Sequence, residues 1–123
     1  MLARRIHHVS FAIRDLARSR EFYEGALGLR AIARPDLGLP GLWYAAGEGE
    51  IHLIQTPPGV SVGAPPDRVT PLANHCAFAI DDYEKTVARL KSCGLQVLET
   101  SSERGQLWVQ DPDGNVIELI RPR

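Results

Sequence analysis

One eight-residue frame occurs twice in this chain, as His8-Val9-Ser10-Phe11-Ala12-Ile13-Arg14-Asp15 and as His75-Cys76-Ala77-Phe78-Ala79-Ile80-Asp81-Asp82. Each copy leads into a helix-like segment that ends at a Gly-Leu pair, Gly28-Leu29 and Gly94-Leu95. Each half then closes on a matching apolar strand, Ile51-His52-Leu53-Ile54 and Ile117-Glu118-Leu119-Ile120. Self-similarity of this kind marks a duplicated supersecondary unit, so the fold must be assembled from two like modules. The duplication also sorts the polar residues. His8 corresponds to His75 and His52 to Glu118, which puts four candidate metal ligands on two pairs of equivalent strand positions.

Within the first copy, residues 6–13 read as a strand with His8, Ser10 and Ala12 on one face. His7 is then expected on the opposite face, toward the helix or solvent. Asp15 caps a helix to about Leu27 that buries Leu16, Phe22, Tyr23, Ala26 and Leu27, and Gly28 is its left-handed stop. Strands follow at 29–34, which Pro35 ends, at 42–46 and at 51–56, the last two joined through Gly47-Glu48-Gly49. The order is β-α-β-β-β. The second copy repeats it, with a strand at 74–80 and a helix from Asp81 or Asp82 that buries Tyr83, Val87 and Leu90. Gly94 ends this helix, and strands at 95–100, 106–110 and 115–121 complete the unit. Asp111-Pro112-Asp113-Gly114 is a strong turn signal between the last two. Module 1 therefore spans about residues 5–56 and module 2 about 73–121, within one domain covering 1–123. Residues 57–72, with five prolines and two glycines, form a stiff, extended linker.

A chain of 123 residues allows one compact domain or two half-size modules sharing a core. With 44% hydrophobic and 24% charged residues, neither disorder nor a fibrous repeat is indicated. No apolar run approaches the ~18 residues of a membrane span. Met1–Arg5 leads straight into a strand pattern and leaves no room for a signal peptide. Cys76 and Cys93 lack metal or redox spacing, so a reduced, cytoplasmic location is expected. A formal charge of −1 argues against general nucleic-acid binding, although seven of the twelve arginines lie between Arg4 and Arg34. Most of these read as solvated surface.

Alternate strand residues share a face, so one inward position per strand can point into a common cavity. Three imidazoles and one carboxylate suit a borderline divalent ion: Zn, Ni, Co, Fe or Mn. Glu118 adds weight, because a carboxylate between Ile117 and Leu119 needs a partner.

The frames H-H-V-S-F-A-I-R-D-L-A-R-S-R-E-F-Y-E-G-A-L-G-L at 7–29, N-H-C-A-F-A-I-D-D at 74–82 and D-P-D-G-N-V-I-E-L-I at 111–120 resemble the vicinal oxygen chelate superfamily. That group includes glyoxalase I, fosfomycin-resistance thiol transferases, methylmalonyl-CoA epimerase, extradiol dioxygenases and bleomycin-binding proteins. The resemblance covers nearly the whole chain. It implies an α+β fold in which two tandem βαβββ modules form a metal-centred cup, with His8, His75 and Glu118 on the three widely shared ligand strands. His52 falls where glyoxalase I carries a glutamate and the epimerase a glutamine. Departures matter too: glyoxalase I has two carboxylate ligands, and this chain has one plus a histidine. The loop between its second and third strands is short for a glutathione site, and no counterpart of the thiol transferases' potassium-binding serine loop is present. Extradiol dioxygenases share the two-His-one-Glu triad but are usually longer, and bleomycin-binding members normally lack the ligands.

The resemblance implies a glyoxalase-like isomerase or lyase acting on a small substrate with two adjacent oxygens through a metal-stabilised enediolate. Glu118 is then the candidate base, and His52 the fourth ligand or a second acid-base group. Ser10 and Trp108 are candidate substrate contacts, and one of Trp43 and Tyr44 should face the cavity. An Fe(II) or Mn(II) extradiol-type dioxygenase and a fosfomycin- or bleomycin-type resistance protein are the alternatives. Because the strand edges of each unit need covering, a homodimer is expected, with sites within one chain or at the interface between two.

Overall fold

A computed structural model describes all 123 residues, which divide into two compact units, Met1–Val62 and Gly63–Arg123. In the first unit, β1 (His8–Ile13) leads into α1 (Leu16–Arg20), a π-helical turn (Glu21–Ala26), β2 (Arg30–Ile32), β3 (Gly41–Ala46) and β4 (Gly49–Gln55). The second unit runs β5 (His75–Ala79), α2 (Tyr83–Ser92), β6 (Leu98–Glu99), β7 (Gln106–Gln110) and β8 (Val116–Ile120). The sheets have the same order, β1-β4-β3-β2 and β5-β8-β7-β6, with first and last strands parallel and the other pairs antiparallel. The architecture is α+β, two tandem βαβββ modules, as the repeat predicts.

Both helices begin in the same way. Asp15 and Asp82 have extended backbones, and their carboxylates accept hydrogen bonds from the amides of Arg18 and Lys85, 3.0 Å in each case. Each bond satisfies one of the amides that a helix start leaves without a partner. Gly28 and Gly94, with φ of 75° and 79°, turn the chain out of the helices in the left-handed region where a Cβ is penalised.

One face of each sheet is apolar and buried. In the first unit it carries Ile13, Tyr44, Ile51 and Leu53, with Phe22 and Tyr23 also buried. The Tyr23 ring stacks on Phe11 and on Tyr44, at 6.1 Å in each case, which ties the helical segment to β1 and β3. The second unit buries Leu107, Val109, Ile117 and Leu119, together with Tyr83, Val87 and Leu90 of α2. The Tyr83 hydroxyl accepts from the Thr100 amide at 3.1 Å.

The first helical segment departs from the expected regular helix to Leu27. Its α-helical part stops at Arg20, and bonds such as Leu27 N–H to Phe22 carbonyl (3.0 Å) widen the next turn. The widened turn carries two consecutive aromatics. Regular helical geometry would separate Phe22 and Tyr23 by about 100° around the axis, and here both are buried. The second strand is three residues rather than six: its pairing with β3 stops at Ile32, and Pro35, which has no N–H to donate, follows soon after. In the second unit the chain leaves α2 with Leu95 N–H still bonded to Leu90, so β6 pairs only at Leu98 and Glu99. No helix is long and apolar enough to cross a membrane.

The paired caps make a quantitative test. Asp15→Ala and Asp82→Ala should each lower unfolding free energy by about 1 kcal/mol in urea titrations. Asp81→Ala, an exposed neighbour outside the cap, should stay within about 0.5 kcal/mol of wild type.

Candidate metal-binding half-sites

Cross-strand partners share a face, so the registers decide what meets. In the first unit Ser10 lies opposite His52, His8 opposite Glu50 and Trp43 opposite His52. In the second, Ala77 and Trp108 flank Glu118, with His75 opposite Val116. His8 and His75 thus hold equivalent positions, as do His52 and Glu118. The two tryptophans of the chain are equivalent as well. Trp43 lies on the same face as His52, and Tyr44 on the buried apolar face.

The first half-site is a stack. The His52 ring lies 4.0 Å from His8 at an interplanar angle of 15° and 4.3 Å from Trp43 at 7°. Its Nε2 meets Glu50 Oε1 at 2.8 Å. An ionised carboxylate only accepts, so Nε2 is the donor, and that bond holds the Glu50 carboxyl below the usual carboxylate range. His8 Nδ1 lies 2.9 Å from His7 Nδ1. Partial desolvation, reinforced by the His52 and His7 imidazoles, pushes His8 below the ordinary histidine value and favours its neutral form. His7 is exposed, one of its two expected placements, but its ring also turns to contact His8 edge-on. It precedes β1, where strand parity no longer applies. Ser10 is exposed on the same face of β1 as His8.

The second half-site is a pair. His75 Nε2 lies 3.8 Å from Glu118 Oε1, while His75 Nδ1 is 2.8 Å from the Ala73 carbonyl. A carbonyl only accepts, so Nδ1 bears a proton, and Nε2 is the nitrogen turned toward Glu118. Glu118 is 8% exposed, and besides His75 it meets only the Gln106 amide, at 3.4 Å. Trp108 is 7% exposed, sits edge-on to His75 at 6.5 Å, and its buried indole N–H has no partner.

These donors suit a divalent ion chemically. Two ligands on one tetrahedral ion at ~2.1 Å bonds lie ~3.4 Å apart, close to the 3.8 Å between His75 and Glu118. The His8 and His52 rings are nearly parallel, and stacked imidazoles direct their in-plane lone pairs side by side rather than at one point. No group of three or more His, Cys, Asp or Glu side chains is assembled to hold a metal. Each unit therefore offers two of the four expected ligands. A cavity of about 510 Å³ lies elsewhere, at the far ends of β1 and β4, lined by Arg14, Leu39, Pro40, Gln55, Thr56, Pro57 and Pro58.

Glu50 and Gln106 were not among the residues expected from sequence. Glu50 stands two positions before His52 on the same strand, so strand parity alone marks it as a neighbour on that face. Gln106 bears the same relation to Trp108.

The glyoxalase/bleomycin resistance protein/dioxygenase superfamily model matches residues 5–119. "Glyoxylase I 4" of Arabidopsis thaliana is 29% identical over 120 residues, spanning 93% of this chain and 68% of that protein. "Metallothiol transferase FosB" of Lysinibacillus sphaericus is 23% identical over 129 residues, 97% of this chain and 85% of that one. The structure of a glyoxalase family protein from Bacillus anthracis superposes with a TM-score of 0.80 at 24% identity, covering 100% of this chain and 98% of its own. With two βαβββ units of matching topology and a family match across nearly its full length, the chain belongs to the glyoxalase/bleomycin resistance protein/dioxygenase superfamily.

Proposed function

We propose that this protein is a metal-dependent enzyme of glyoxalase type, an isomerase or lyase for a small substrate carrying two adjacent oxygens. The observation that carries this reading is the second-unit pair. A buried carboxylate and the Nε2 edge of an imidazole whose Nδ1 is engaged by a backbone carbonyl face each other at 3.8 Å. That separation exceeds the ~2.7–3.2 Å of a hydrogen bond, and a carboxylate as buried as Glu118 calls for a cationic partner. The relatives named glyoxylase and metallothiol transferase are consistent with it.

His8, His75 and Glu118 would hold the ion, with His52 as the fourth ligand. When bound, the ion supplies Lewis acidity to the substrate's vicinal oxygens. The protein's own groups do the rest. The Ala73 carbonyl fixes the His75 tautomer, as second partners of ligating imidazoles do. Glu118, little solvated and weakly hydrogen-bonded, is the base that takes a proton from the carbon beside a substrate carbonyl. The Trp108 indole N–H is a donor for a substrate oxygen, and Ser10 a second polar contact. The two-His-one-carboxylate part of this set also supports a second reading, an oxygen-activating Fe(II) or Mn(II) enzyme. The metal retained after purification without added metal separates the two.

Two donors from each unit fall short of the three or four that a catalytic ion takes. We propose a homodimer as the working form, since β1 and β5, which carry His8 and His75, are edge strands of their own sheets.

His75→Ala and Glu118→Ala should each reduce bound metal, measured by elemental analysis, to a small fraction of wild type, and Asn74→Ala should leave it unchanged. Equal losses in all three would remove the ligand assignment. Titrating metal-free protein with Co²⁺ should quench tryptophan emission, because Trp43 and Trp108 lie beside the ligands, and His75→Ala should abolish the response. Mixing inactive His8→Ala and Glu118→Ala chains tests whether ligands are shared. If they are, activity returns as heterodimers form. No recovery despite proven subunit exchange means each site is complete within one chain.

A further inference from the structure

The ring of His52 is confined on three sides. Trp43 covers one face at 4.3 Å, His8 the other at 4.0 Å, and Glu50 Oε1 holds its Nε2 edge at 2.8 Å. Its side chain keeps 10% of its free exposure. A ring flip would carry Nε2 away from Glu50 and place a carbon against the carboxylate. The two stacked faces limit tilting, and the hydrogen bond removes the flip. A free histidine offers either nitrogen to a ligand. Held in this way, it offers one.

We propose that Glu50 is the positioning residue of this half-site, committing Nε2 of His52 as a proton donor so that Nδ1 is the only nitrogen His52 can present to a divalent ion. The placement of an ion at His52 rests on the function proposed above; the fixed tautomer does not. Glu50 acts through the imidazole, orienting it and raising the basicity of the remaining nitrogen. Two residues apart on β4, Glu50 and His52 share a face by strand geometry, so the pair needs no tertiary arrangement beyond the strand itself. Trp43 supplies the flat support against which the ring is held.

The decisive measurement is made on metal-free protein at about pH 8, well above the ordinary titration range of histidine. In ¹⁵N-resolved imidazole spectra, His52 should be protonated at Nε2, with an Nε2 proton protected from solvent exchange. Glu50→Ala should abolish that protection. Glu50→Gln, whose amide oxygen still accepts, should keep most of it, and far-UV circular dichroism should match wild type. Zinc is the probe for the second arm. Binding should shift His52 Nδ1 and leave its Nε2 proton in place, and Glu50→Ala should weaken affinity about 10- to 100-fold, more than Glu50→Gln does. Protonation of Nδ1 in the wild type overturns the proposal, as does equal protection of the Nε2 proton in Glu50→Ala. If Glu50→Ala does not fold, the wild-type tautomer and the Gln variant still decide it. A protected Nε2 proton with Nδ1 unmoved by zinc upholds Glu50's positioning of the ring but overturns the presentation of Nδ1 to an ion, and takes His52 out of the ligand set.

Discussion

Everything placed at either half-site depends on the parallel pairing of the first and last strands of each unit, β1 with β4 and β5 with β8. These strands are far apart in sequence, and nothing local aligns them. A slip of one residue in either register would send His52 or Glu118 to the apolar face. What prevents the slip is on that other face. Ile13, Ile51 and Leu53 in one unit, and Ile117 and Leu107 in the other, are at most 3% exposed. Moving them toward water would cost roughly 1.5–3 kcal/mol each. The polar residues are thus positioned by apolar ones that take no part in the chemistry.

Most of the fold was legible because the duplication is nearly in phase. Asp15 and Asp82, Gly28 and Gly94, His8 and His75, and His52 and Glu118 form pairs at matching places, and the structure places the members of each pair equivalently. Local features were less readable. A hydrophobic pattern cannot distinguish a regular helix from one widened at Glu21–Ala26, since both carry Phe22 and Tyr23 inward. The short β2 and β6 were overestimated because extended, apolar sequence looks the same whether or not it finds a pairing partner. At the candidate site, the face of each ligand followed from parity, but its partners did not. Whether His75 would meet a carbonyl, or His7 turn back onto His8, depends on backbone just outside the strands, where parity gives no rule.

The two half-sites have diverged from a common plan in their electrostatics. The second unit places a carboxylate at the β8 position and only a weak amide donor near it. The first places an imidazole at the β4 position and a carboxylate directly behind it, 2.8 Å from the ring. Within the proposed reading, exchanging a carboxylate ligand for a neutral histidine would leave a divalent centre more positive and draw anions more strongly. Glu50 would offset part of that change. Its charge would reach the centre through one polarised imidazole, making His52 a better donor than an isolated histidine. On that reading a histidine at position 52 is only half of the difference between the two half-sites, and Glu50 is the other half.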